Sequence, residues 1–167
     1  ISHTEGFGSS AVNISHAEGT LTQAINGSHA EGYGTVSSGK SSHAEGNGVV
    51  AVGEASHAEG FCTKTNNLGE HAQGKFNISN YDPDDLDPAY QTISSIGIGT
   101  SDTNRKNAVE VMDNGDVYIC GVGNYDGTNP TSATTLQTVI NVSWTDTKNT
   151  AGSNNTTEDL YIIGAQE

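Results

Sequence analysis

Through positions 1–76, small and polar residues alternate in one short repeated pattern. Ser2-His3-Thr4-Glu5-Gly6 returns as Ser15-His16-Ala17-Glu18-Gly19, then from Ser28 to Gly32, Ser42 to Gly46 and Ser56 to Gly60. A changed copy, Glu70-His71-Ala72-Gln73-Gly74, ends the series. The spacings between successive histidines are 13, 13, 14, 14 and 14 residues, and all six histidines of the chain lie in the motif. A period this short cannot hold a helix pair. It fits one coil of a β-solenoid, with two strands of about five residues and two tight turns, advancing by one strand spacing of ~4.8 Å. About six coils of 13–14 residues are predicted, with the constant Gly ending the first strand where a sharp turn wants positive φ.

Period-2 alternation sorts the side chains. In the first strand Ser and Ala point one way, His and Glu the other. In the second strand the column Ala11, Ala24, Ser37, Ala51, Thr65 stays small, as does Ser9, Thr22, Thr35, Val49, Thr63 two residues earlier. Both are predicted to line an interior too thin for larger groups. Ser10, Gln23, Val36, Val50 and Lys64 vary freely, as solvent-facing positions do, whereas the constancy of the His and Glu columns points to confinement. So narrow a coil buries too little apolar area to offset chain entropy alone, and lateral association of identical chains is the natural remedy. The open end at Ile1 is a sticky edge unless further repeats precede it.

The pattern changes after the repeats. Residues 77–130 read as a β-rich segment, opening with Tyr81-Asp82-Pro83-Asp84-Asp85-Leu86-Asp87-Pro88, an acidic loop by its prolines and aspartates. Val109 to Met112 and Val117 to Cys120 flank Asp113-Asn114-Gly115-Asp116 and predict a hairpin with a type I′ turn at Asn-Gly. Residues 131–167 read as a short helix from Thr134 to Asn141, a polar loop over 145–157 and a terminal strand from Leu160 to Gly164. The chain opens inside a repeat and stops abruptly at Glu167, so the sequence reads as a segment of a longer polypeptide.

Composition sharpens this picture. Only 32% of residues are hydrophobic, with 21 Gly, three Phe and one Trp, which is too little for an ordinary compact core. Six basic residues stand against twenty acidic ones, a net charge of −14, which argues against nucleic acid and anionic membrane surfaces as partners. No apolar run is long enough for a membrane span. Cys62 and Cys120 are isolated and carry no CxxC spacing.

The Ser-His-Ala-Glu-Gly coils resemble the head repeats of trimeric autotransporter adhesins, whose coils read Ser-Val-Ala-Ile-Gly. More closely, they are similar to repeats in phage tail-fibre and tail-spike proteins. That resemblance implies a left-handed parallel β-roll, three rolls side by side, with the motif's outward pair facing the trimer. Here His and Glu, for example His43 and Glu45, occupy the places of the apolar pair. The run Ile98 to Ala108 followed by Val111 to Ile119 looks like the block that follows such repeats in the phage proteins. The resemblance implies a homotrimeric structural fibre of a virion, extracellular, supporting host attachment. Its partners would be itself, other virion proteins and a host-surface glycan or protein receptor. The head of a bacterial adhesin, at the cell surface, is the alternative.

The chemistry-bearing residues are His3, Glu5, His16, Glu18, His29, Glu31, His43, Glu45, His57, Glu59 and His71. As a trimer-interface ladder, His donating to Glu across chains fixes register, and the assembly is expected to loosen as the Glu columns protonate. Three imidazoles around an axis could alternatively hold a transition metal, with Glu in the outer shell. Acid–base catalysis is the weakest reading, because six near-equal copies do not look like one active site. The structural reading is favoured, since most repeated polar ladders are packing devices. Asp82, Asp84, Asp85 and Asp87 are weak Ca²⁺ candidates without the spacing of an EF-hand loop. No nucleophile elbow, phosphate loop or zinc spacing occurs, Gly121-Val122-Gly123 is too short for a dinucleotide fingerprint, and nothing marks the carboxylate groove of a glycan-cleaving spike. No enzyme and no cofactor are therefore expected.

Overall fold

A computed structural model describes residues 1–80, 91–121 and 126–128. The described chain is all-β. One parallel sheet stacks the motif strands β1 (His3–Phe7), β3 (His16–Thr20), β5 (His29–Tyr33), β7 (His43–Asn47), β9 (His57–Phe61) and β11 (His71–Lys75). The second holds β2 (Ser10–Val12), β4 (Gln23–Ile25), β6 (Val36–Ser37), β8 (Val50–Ala51) and β10 (Lys64–Thr65), also parallel. Identical motif residues pair coil to coil, His on His, Glu on Glu and Gly on Gly. The architecture is the β-solenoid expected, with five complete coils rather than six. The second-sheet strands are two or three residues long, shorter than the five anticipated.

The inward columns are those the alternation picked out. Ala17, Ala30, Ala44, Ala58 and Ala72 are fully buried against Ala24, Ser37, Ala51 and Thr65, with Thr22, Thr35, Val49 and Thr63 beside them. Most of the interior Ser and Thr hydroxyls bond locally, which removes the penalty for burying them, whereas the Thr35 hydroxyl has no partner. Ser28 Oγ donates to the Ser37 carbonyl at 2.7 Å, and the Ser56 and Thr65 hydroxyls share a bond of 2.8 Å.

The motif glycine sits inside the strand, not at its end. Gly32 has φ 111° and a Cβ there would lie 2.1 Å from the Gly46 carbonyl oxygen, so the position demands both positive φ and close backbone approach. The change of spacing from 13 to 14 residues is confined to one corner. In the first two coils it is turned by the paired left-handed residues Asn13-Ile14 and Asn26-Gly27. The three longer coils turn there through Ser38–Ser41, Val52–Ala55 and Asn66–Gly69, each with a single left-handed residue at its end. Strand register is untouched by the insertion.

The sixth coil begins with β11 but has no second strand among the described residues. Asn77 stands in for one: its Oδ1 accepts from the Lys64 N–H (2.7 Å) and its Nδ2 donates to the Lys64 carbonyl (2.9 Å). Asn107 does the same for Ile78, at 2.9 and 2.8 Å. Two side-chain amides thus end the short sheet by imitating backbone. The long sheet continues instead into β12 (Thr92–Ile98), parallel to β11, then β13 (Asn107–Met112) and β14 (Val117–Ile119), both antiparallel.

The β13–β14 hairpin is present, but its turn is not type I′. Gly115 N–H donates to the Met112 carbonyl and Met112 N–H to Asp116, and only Gly115 has positive φ. This is the three-residue loop with glycine in the left-handed position. The Asn114 Oδ1 accepts from the Asp116 N–H at 2.9 Å, which engages Asn114 without a left-handed backbone. Arg105 fastens the segment before β13 to the solenoid, donating to the carbonyls of Cys62 (2.9 Å) and Asn77 (3.0 Å) and lying over the Phe76 ring. Cys62 and Cys120 are free thiols. The helix expected over 134–141, the loop over 145–157 and the strand over 160–164 lie outside the described residues, as does the acidic loop with Asp82, Asp84, Asp85 and Asp87.

Candidate functional site

The outer face of the long sheet carries the repeated chemistry. Because the strands pair in register, the imidazoles form a column at the strand spacing. Ring centroids are 4.7 Å apart for His16–His29 and His29–His43, 4.6 Å for His43–His57 and 5.0 Å for His57–His71. These pairs are stacked, whereas His3 meets His16 edge-on at 4.9 Å. The parallel column Glu5, Glu18, Glu31, Glu45, Glu59 runs beside it. All eleven residues of the expected ladder therefore share one face.

Within the chain, ion-pair contacts between the columns form only at the ends. His3 Nε2 lies 3.7 Å from Glu5 and His71 Nε2 lies 3.6 Å from Glu59. Nε2 of His16, His29, His43 and His57 is shielded and makes no hydrogen bond. Burial lowers the His43 pKa below the ordinary imidazole value, and the neighbouring His57 and His29 lower it further, against the opposing pull of Glu45 and Glu31. At His43, burial between two stacked imidazoles thus favours the neutral, lone-pair-bearing form. An open groove of about 520 Å³ runs along the corner beside the first part of the column, lined by the Ser-His pairs Ser2-His3, Ser15-His16, Ser28-His29 and Ser42-His43.

The face changes character at the capped end. Gln73 in the Glu column pairs with Ile96, and Lys75 with Ile98. Ile96 and Ile98 are exposed, with half-buried Val109 and Val111 on the adjoining strand. The polar ladder thus runs into an aliphatic patch.

A second cluster escaped the sequence reading. Glu70 replaces the interior Ser of the motif and is fully buried. Its Oε2 accepts from the N–H groups of Asn66 (2.8 Å) and Asn67 (3.0 Å), from Asn67 Nδ2 (3.1 Å) and from Ser79 Oγ (2.7 Å). Its Oε1 and the Asn67 Oδ1, both acceptors, have no partner. Burial pushes the Glu70 pKa up to about 7, overriding those hydrogen bonds, and the nearby carboxylate of Glu110 adds to the rise. Glu110 is itself fully buried and accepts at 2.5 Å from both Asn80 Nδ2 and Thr92 Oγ1. The signal was available: a Glu in a column otherwise made of Ser, in a position the alternation places inside.

No family model matches the chain, and neither does any curated protein or solved structure.

Proposed function

We propose that the chain is a structural segment of a homotrimeric surface fibre, in the first place a phage tail or head fibre supporting host attachment. One observation carries the reading. Every coil presents the same His and Glu on one face, and that face passes into the exposed Ile96 and Ile98. A solvated face has no need of such constancy, and the freely varying outward positions of the second sheet show how little solvent requires. A face of fixed side chains in line with an aliphatic patch suits burial against two further copies, with the His and Glu columns pairing across chains and apolar contact at the capped end. The assignment to a virion rests on the Ser-His-Ala-Glu-Gly resemblance. Under it the chain is extracellular and non-enzymatic, and its partners are itself, other virion proteins and a host-surface receptor. The head of a trimeric bacterial adhesin is the second reading, favoured by the same coil geometry. Solution mass by light scattering, at neutral and then mildly acidic pH, tests the assembly. Three chains at neutral pH, loosening in acid, is the expected result; a stable monomer at both overturns it.

A further inference from the structure

We infer that the ladder is also a divalent transition-metal site, built from two imidazoles of successive coils and one carboxylate. Three such groups lie on the face: His16, Glu18, His29; His29, Glu31, His43; and His43, Glu45, His57. In each, the three ligand atoms lie within 4.8 Å of one another. The four histidines involved are also the four whose Nε2 has no hydrogen-bond partner. Unused, shielded nitrogen is costly to keep, and a metal ion is an occupant that would use it. All three ligands come from one chain, so the site does not rest on the trimer.

The donor set selects the ion. Two nitrogens and one oxygen suit Zn²⁺ and its first-row neighbours rather than Ca²⁺ or Mg²⁺, which take oxygen. Zn–N bonds of about 2.0–2.1 Å in tetrahedral geometry place two ligand nitrogens about 3.3 Å apart. The rings must therefore lean together by up to about 1.5 Å, a movement that side-chain torsions supply without disturbing the stacked backbone. The groove beside the Ser-His corner runs past His16, His29 and His43 and gives the ion a way in.

The ladder also fixes how many ions it holds. A neutral imidazole offers one lone pair, so neighbouring groups that share a histidine cannot both be filled. The groups through His16–His29 and His43–His57 fill together and leave the middle one empty. The chain should bind two ions, not three.

Equilibrium dialysis of the full chain against Zn²⁺, with the metal counted per chain, tests this. Co²⁺ substitution, read by the visible bands of nitrogen-coordinated cobalt, identifies the ligands. The expected count is two. His16→Gln with His57→Gln leaves only the central pair and should bind one. His29→Gln with His57→Gln leaves no adjacent pair among the four and should bind none. Glu18→Gln with Glu45→Gln, which spares every imidazole, leaves a carboxylate only in the central group and should lower the count from two to one at the same free zinc. Circular dichroism identifies any variant that fails to fold, and the glutamate pair then decides the matter alone. Zinc counts that ignore these substitutions, a count below one per chain, or cobalt spectra of the hydrated ion overturn the assignment. Light scattering on the same samples separates it from the fibre reading: two ions on a monomer keeps the metal site and removes the trimer, and a metal-free trimer does the reverse.

Discussion

Glu70→Gln should make the protein more stable at alkaline pH. In the folded chain Glu70 titrates at about 7, and its ordinary value is 4.5. Between those values the folded chain holds a proton that the unfolded chain has released. The stability this confers is whole below about pH 4.5 and is lost as pH rises through about 7, so the wild type weakens over that window. At about 1.4 kcal/mol per pKa unit, the gap corresponds to about 3 kcal/mol. The structure gives the cause: the charged form buries two acceptors, Glu70 Oε1 and Asn67 Oδ1, with no donor. A glutamine keeps an oxygen for the four donors around Oε2 and puts an N–H pair in place of Oε1. Urea unfolding of both proteins at pH 5 and pH 8 measures the effect, read as wild type minus variant so that other titrating groups cancel. The variant should gain about 2–3 kcal/mol on the wild type between the two pH values. A difference independent of pH, or a wild type that gains on the variant as pH rises, would refute the buried-carboxyl argument.

Other substitutions probe the coil and its cap. Gly32→Ala meets the Gly46 carbonyl and a φ of 111°, and should cost at least about 2 kcal/mol, seen as a lower urea midpoint. Ala44→Leu overfills an interior in which Ala44 packs against Val49, Ala51 and Ala58, and should cost about 1–3 kcal/mol in thermal unfolding. Asn77→Ala strips the Lys64 N–H and carbonyl of their partner and should cost about 1–3 kcal/mol, with faster amide exchange at Lys64. Arg105→Ala should speed exchange in residues 98–107 while leaving β1 to β7 protected, because its two carbonyl bonds join that segment to the coil.

The repeated half was legible because every coil makes the same contacts. A residue's role could be read from what its five equivalents allow, and that comparison placed Ala and Ser inside and His and Glu outside. Local detail within the coil was less readable. Gly19 and its equivalents looked like turn residues, since positive φ is the usual reason for a constant glycine; close contact between stacked backbones gives the other half of the reason. Of the cap only the β13–β14 hairpin was readable, from its Asn-Gly turn, because the other residues have no equivalents to compare. Nothing in Asn77 or Asn107 announces that an amide will serve as a strand. Likewise nothing in Ile96 foretells a partner in Gln73, across the whole segment between β11 and β12.

The corner that absorbs the change from 13 to 14 residues has a consequence for length. Strand pairing is blind to what happens there, since each motif strand sees only copies of itself above and below. Duplication or loss of one whole coil therefore leaves every surviving contact as it was and moves the two ends by one strand spacing, ~4.8 Å. The molecule behaves as a ruler graduated in coils, whose reach can be reset by tandem copying of about forty nucleotides, three for each residue of a coil. The Asn-based cap is what lets such a ruler stop cleanly at any graduation.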